Sequence, residues 1–185
     1  MSVTVILLGL GTLILGGVLG WAAVTGTPLP TAALMPAPLA PVADLTAPPF
    51  PTTPNWALAL PPNAPAPDPE TTQSGVILTA PRYPLSKEAL FQRANAVIEQ
   101  LPNVSVIRRD PKTLRIDAVA VTRWLGFPDT ISLQVIPLGG ENASVILFSR
   151  SRVGYSDLGA NARRIRAWMD LLKHSHPDDR PLGVS

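Results

Sequence analysis

VSVIRRDPKTLRIDAVAVTRWLGFPDTISLQVIPLGGENASVILFSR, residues 104–150, holds four runs rich in Val, Ile and Leu. They are Val104–Arg109, Thr113–Trp124, Thr130–Pro137 and Ala143–Arg150. Asp110-Pro111-Lys112, Gly126-Phe127-Pro128-Asp129 and Gly139-Gly140-Glu141-Asn142 separate them, each with the residues that favour turns. Connections this short join neighbouring strands running in opposite directions, so the stretch predicts an antiparallel meander of four strands.

A helix stands on each side of this meander. Upstream, Pro84-Leu85-Ser86 predicts a helix start with Ser86 as the N-cap, and Leu90, Phe91, Ala94, Val97, Ile98 and Leu101 keep one apolar face until Pro102-Asn103. Downstream, Leu158, Ala162, Ile165, Met169 and Leu172 form a stripe through to His174, with Arg163, Arg166, Asp170 and Lys173 on the opposite face. The expected fold is α+β: a two-layer domain over 76–176, in the order α-β-β-β-β-α, with both helices on one face of a four-stranded antiparallel sheet. Residues 177–185 are expected to be a tail.

The preceding stretch, 26–75, reads as a proline-rich extended spacer. Pro36-Ala37-Pro38, Pro48-Pro49, Pro61-Pro62 and Pro65-Ala66-Pro67-Asp68-Pro69 remove backbone donors and fix φ, which favours polyproline II over helix or central strand. At roughly 3.1 Å per residue such a segment reaches far. It also carries Phe50, Trp56, Leu58 and Leu60, apolar side chains that a solvated linker usually avoids. Two readings stand: a tether with incidental hydrophobes, or an extended ligand lying along a partner with Trp56 as its anchor side chain.

Residues 1–25 read as a transmembrane anchor. Val3–Val24 is uncharged and free of proline, and about 20 apolar residues cross a hydrocarbon core. The competing reading, a signal peptide, lacks its basic n-region here. All 15 Lys and Arg lie at or beyond Arg82, so nothing basic near the span holds the C-terminal side in the cytoplasm. The expected arrangement is single-pass in a bacterial inner membrane, N-terminus cytoplasmic and domain periplasmic. Gly9, Thr12, Gly16 and Gly20 share one helical stripe, a small-residue face suited to packing against another membrane helix.

Near the end of the last strand the chain reads Ser149-Arg150-Ser151-Arg152-Val153-Gly154-Tyr155-Ser156-Asp157-Leu158-Gly159-Ala160-Asn161-Ala162-Arg163-Arg164. This run closely resembles the signature of a bacterial and plastid family known as domain-of-unknown-function family 1499, and the resemblance extends over about Pro81 to Lys173. The family's opening Arg falls at Phe148. Its F-x-D-D turn is Phe127-Pro128-Asp129-Thr130, with one acid missing, so an ion pair between that acid and that Arg would be lost here.

Physically the motif reads in two ways. As structure, Gly154 and Gly159 supply a corner, Ser156 or Asp157 caps the helix, Asn161 bonds the loop, and Arg152 and Arg164 reach Asp157 or Asp129. As a site, the helix N-terminus beside Arg150, Arg152, Arg163 and Arg164 would hold an anion.

Little in the chain points to chemistry. His174 and His176 lie in the tail beside Asp178 and Asp179, with no cysteine, and read as solvated rather than as a metal site. No serine has a histidine partner within the domain. From Arg82 onward fifteen bases face ten acids, a balance suited to anionic headgroups or an acidic protein face. No nucleic-acid motif is present. The expectation is a non-catalytic accessory (supernumerary) subunit of an energy-transducing complex, respiratory or photosynthetic. Its partners would be integral membrane proteins and membrane lipid, with no cofactor, metal, nucleic acid or small-molecule substrate. The alternative is a tethered periplasmic domain that binds an anionic ligand or lipid headgroup at the arginine-lined corner.

Overall fold

The computed structural model describes residues 39–174, except 66, 73 and 123–125. The chain divides into two units, Met1–Met35, which lies outside the described residues, and Pro36–Ser185, to which everything below belongs. Nine elements follow one another: β1 (Trp56–Leu60), α1 (Pro69–Thr72), β2 (Val76–Thr79), α2 (Lys87–Glu99), β3 (Val104–Asp110), β4 (Arg115–Val121), β5 (Pro128–Pro137), β6 (Ala143–Ser151) and α3 (Ala160–His174).

The sheet corrects the expected fold class. It has six strands in the order β2-β1-β6-β5-β4-β3, and β1 pairs parallel to β2, so it is mixed rather than four-stranded and antiparallel. The expected meander is its β3–β6 portion. One further strand, β1, comes from the stretch read as spacer, and β2 opens the stretch read as domain. Trp56-Ala57-Leu58-Ala59-Leu60 alternates large and small with the period of a strand, and it pairs antiparallel with β6, Trp56 opposite Arg150 and Leu58 opposite Phe148. Prolines surround the strand but none lies inside it, so its ladder is intact. Among the described residues no helix is long and apolar enough to cross a membrane, and the span expected over 1–25, with Gly9, Thr12, Gly16 and Gly20, lies outside them.

The period of two divides the core. On the inner face Ala57, Ala59, Ile116, Ala118, Ile131, Leu133, Val145 and Leu147 are buried against α2 and α3. The alanines of β1 and β4 leave room for the helices, and α3 lies on β1 and β6. Helix α2 begins as its sequence predicts, with Ser86 Oγ accepting from the Ala89 N–H at 3.2 Å. Its C-terminal partner is tied by side chains: Tyr83 Oη donates to the Met169 carbonyl and Arg93 to that of Leu172. Burial raises the Tyr83 phenol above its ordinary value, with the nearby Asp170 charge adding to the rise. Leu158, expected on the apolar stripe of α3, instead precedes the helix and is 84% exposed, while Trp168 takes a buried place on the stripe.

The outer face carries a second core. Trp56, Leu58, Ile146 and Phe148 meet Val42, Leu45 and Phe50 from the arm of residues 39–55. Phe50, Trp56 and Phe148 cluster with ring centroids 4.7 to 6.3 Å apart, and the Trp56 indole N–H donates to the Pro51 carbonyl at 3.0 Å. The apolar residues of the supposed spacer therefore lie along the chain's own sheet, which is the partner that holds them. Of the two edge strands, β3 carries Arg108 and Arg109 and a register shift between Val106 and Arg108, features that discourage edge-to-edge pairing.

Gly75 marks how closely β2 approaches the tryptophan: a Cβ there would stand 2.1 Å from the Trp56 ring. Gly75→Ala is expected to destabilise the domain by about 2 kcal/mol or more through overpacking. Denaturant unfolding monitored by tryptophan fluorescence measures it.

Candidate functional site

The signature motif folds into a buried brace around Asn161. This residue opens the first turn of α3 with none of its surface exposed. Its Nδ2 donates to the Asn55 carbonyl at 2.8 Å and to Ser151 Oγ at 3.0 Å. Its Oδ1 accepts from Ser149 Oγ at 2.5 Å and from an Arg164 Nη at 2.7 Å. The same arginine reaches Ser149 Oγ at 2.9 Å and pairs with the Asp129 carboxylate at 2.5 Å. Asn55 completes the ring: its Nδ2 donates to the carbonyls of Ser151 and Gly154, and the Ser151 N–H donates to the Asn55 carbonyl. One side chain thus joins the start of β1, the end of β6 and the start of α3.

The loop from β6 to α3 is fixed from within. Gly154 and Gly159 take φ of +89° and +78°, where a Cβ is disfavoured. The Asp157 carboxylate accepts from the Gly159 N–H at 2.8 Å and the Asn161 N–H at 2.7 Å, so the helix N-terminus already holds an anion of its own. Between them Leu158 stands at φ +51°. Its carbonyl accepts from Arg163 at 2.8 Å. Tyr155 and Leu158 form the exposed tip.

The arginines named in the sequence do not converge. Arg164 lies on the inner side, joined to Asp129 and Asn161. Arg150 lies on the outer face, where it donates to the Ala40 carbonyl and sits 5.9 Å from the centre of the Phe148 ring. Burial lowers the pKa of its guanidinium from the ordinary arginine value. Arg152 and Arg163 are exposed on the loop and the first turn of α3.

A second polar cluster, which sequence reasoning missed, clamps the arm. Arg115 is buried, pairs with Asp117 at 2.9 Å and donates to the carbonyls of Val42 and Ala43. Ser132 Oγ and Arg108 also donate to Asp117, at 2.6 and 2.8 Å. Thr130 Oγ1 donates to the Leu39 carbonyl at 2.6 Å. The signal for it was an acid, Asp117, in an otherwise apolar strand, with Arg115 two residues before it on the same face. Thr130 and Phe148, where the chain departs from the family pattern, both lie on this outer face, and both contact the arm. An open groove of about 730 Å³ borders the arm further along, lined by Thr46, Pro48, Phe50, Asp68 and Glu70 among others, away from the motif.

Chemically, the brace joins donors to acceptors without a nucleophile–base pair. Ser149 Oγ has an amide oxygen and a guanidinium as its partners, and neither takes up a proton at neutral pH. Among the described residues no group of three or more His, Cys, Asp or Glu is placed to hold a metal.

These features define a two-layer α+β module whose most specific polar residues hold its own loop and arm in place. The chain belongs to the family described as "Protein of unknown function (DUF1499)", whose model matches residues 48–172. The match begins upstream of β1, so it takes in the strand that the sequence reading assigned to the spacer. No curated protein matches the chain. Among solved structures it is similar to the di-domain ARO/CYC BexL from the BE-7585A biosynthetic pathway, at 16% identity and a TM-score of 0.37. That likeness covers 51% of this chain and 43% of the other.

Two variants test the brace and clamp. Asn161→Ala leaves several buried groups unpaired and is expected to cost about 3 kcal/mol. Arg115→Ala leaves the Asp117 carboxylate buried without its main partner and is expected to cost about 3–5 kcal/mol. It should also open the arm to proteolysis. Denaturant unfolding and limited digestion read both. In the arm, hydrogen bonds from the Thr46 hydroxyl and then its N–H hold the Asp44 carboxyl below its ordinary value of 3.8. The small stabilisation this gives is full above the ordinary value and is lost as pH falls through the lowered one. Thr46→Ala should therefore raise the Asp44 titration midpoint, as read by carboxyl NMR.

Proposed function

We propose that the protein is a non-catalytic accessory subunit of a bacterial inner-membrane complex, an energy-transducing one of respiratory or photosynthetic type, with Pro36–Ser185 as a periplasmic docking domain. The observation that carries this reading is the use made of the signature motif. Asn161, Arg164, Ser149, Ser151 and Asp157 bond one another, β1 and the start of α3, which suits a rigid docking body better than a reaction centre. The membrane location is supported by the uncharged run Val3–Val24 and by the confinement of Lys and Arg to Arg82 and beyond. The choice of an energy-transducing host rests on the company that small supernumerary subunits commonly keep.

A pocket in which the four arginines converge on one anionic ligand at the helix N-terminus finds less support, because Asp157 occupies that N-terminus and Arg150 and Arg164 lie on opposite faces of the sheet. The test is mild-detergent purification of the tagged chain from native membranes, read by mass spectrometry. The control exchanges residues 1–35 for an unrelated anchor and keeps the arm, which belongs to the fold. Recovery of one membrane complex in fixed proportion, lost in the control, is expected. A chain recovered alone in both preparations overturns the reading.

A further inference from the structure

From the loop between β6 and α3 we infer an interfacial contact with an anionic lipid surface, made by Tyr155 and Leu158 with Arg152 and Arg163 beside them. The two large side chains are 76% and 84% exposed, the most exposed of the large hydrophobics among the described residues. Leu158 is also held at φ +51°, a conformation that costs a residue with a Cβ roughly 1–2 kcal/mol. The fold sustains that cost with the Asp157 cap on one side and the bond from Arg163 to the Leu158 carbonyl on the other. A glycine or asparagine would turn the same corner more cheaply. An exposed leucine kept there at a cost in stability, next to an exposed tyrosine, matches a tip that meets an apolar phase.

Two observations select a lipid surface as that phase. The first is charge: around the tip two exposed bases, Arg152 and Arg163, stand against one acid, Asp157, so the loop is net positive. Tyrosine at the headgroup level, leucine below it and arginine on phosphate is the side-chain order of a membrane interface. The second is where the described chain begins. Thr130 bonds the Leu39 carbonyl and Arg150 that of Ala40, and both residues stand at the end of the sheet from which β6 enters this loop. Upstream of Leu39 the sequence contains the apolar run Val3–Val24. The tip and the chain entry therefore share one end of the domain, while the Gly139–Asn142 turn closes the other. The inference shares with the accessory-subunit reading only the membrane location.

The chain has no cysteine, so a single introduced thiol can carry a spin label. Ser156→Cys keeps Tyr155 and Leu158 and labels the tip; Glu141→Cys labels the opposite end. The full chain is reconstituted into phosphatidylcholine vesicles with and without phosphatidylglycerol, and accessibility to oxygen is compared with that to a water-soluble nickel chelate. With phosphatidylglycerol present, the label at 156 should gain oxygen access and lose nickel access several-fold, and the label at 141 should stay in water. Replacing Arg152 and Arg163 together by Gln should weaken the anionic-lipid effect, each arginine contributing roughly fivefold. Leu158→Asn should leave the folded domain as stable or more so, and yet return the tip to water. A label at 156 that stays in water in both vesicles overturns the inference, as does a chain that associates with neither. A label buried in purified native complex but water-exposed in vesicles also overturns it, points to a protein partner and leaves the accessory-subunit reading standing.

Discussion

A buried amide at Asn161 holds together parts of the chain that are far apart in sequence. Its four hydrogen bonds reach Asn55, Ser149, Ser151 and Arg164, and its own N–H meets Asp157. Each of those groups is out of water or partly so, and an unmade hydrogen bond there costs more than a made one contributes. Removing one member of the network therefore leaves its buried partners unpaired. When the network forms, β1 is placed beside β6, α3 is started at a fixed point on the sheet, and the loop between β6 and α3 takes one shape.

The position of β1 decides the outer face. With Trp56, Leu58 and Leu60 directed outward, the sheet has an apolar surface to which neither α2 nor α3 contributes. The arm covers it, and the carbonyls of Leu39, Ala40, Val42 and Ala43 accept from donors on the sheet. Arg115, Arg150 and Thr130 supply them from three adjacent strands, β4, β6 and β5. Asp117 keeps the most deeply buried of these donors charge-balanced, with Arg108 and Ser132 filling the remaining acceptor sites. The proline content that rules out helix in this segment is what suits it to lie flat with its carbonyls outward.

Much of the domain was legible in the sequence. The meander from β3 to β6, the Ser86 cap and the apolar faces of the helices follow from periods of 2 and 3.6 and from turn residues a few positions apart. In the motif, Gly154, Gly159 and Asp157 were readable as a corner and a cap, because those roles depend on the residue itself. The roles of Asn55, Ser149 and Thr130 were not readable, since each is defined by a partner on a distant segment.

Composition alone set the absence of cysteine, the confinement of bases to residues from Arg82 onward and the apolar run at the start, all properties of the chain without regard to its folding. Tertiary structure alone decided that Trp56–Leu60 is a strand rather than a tether. Its neighbours in the sheet are β6, more than eighty residues later, and β2, across a crossover, and no local pattern encodes a pairing of that range. It likewise separated Arg150 from Arg164. Fourteen positions apart in sequence, they come to lie on opposite faces of the sheet: alternation along β6 turns the first outward to the arm, and α3 delivers the second to Asp129 from the inner side.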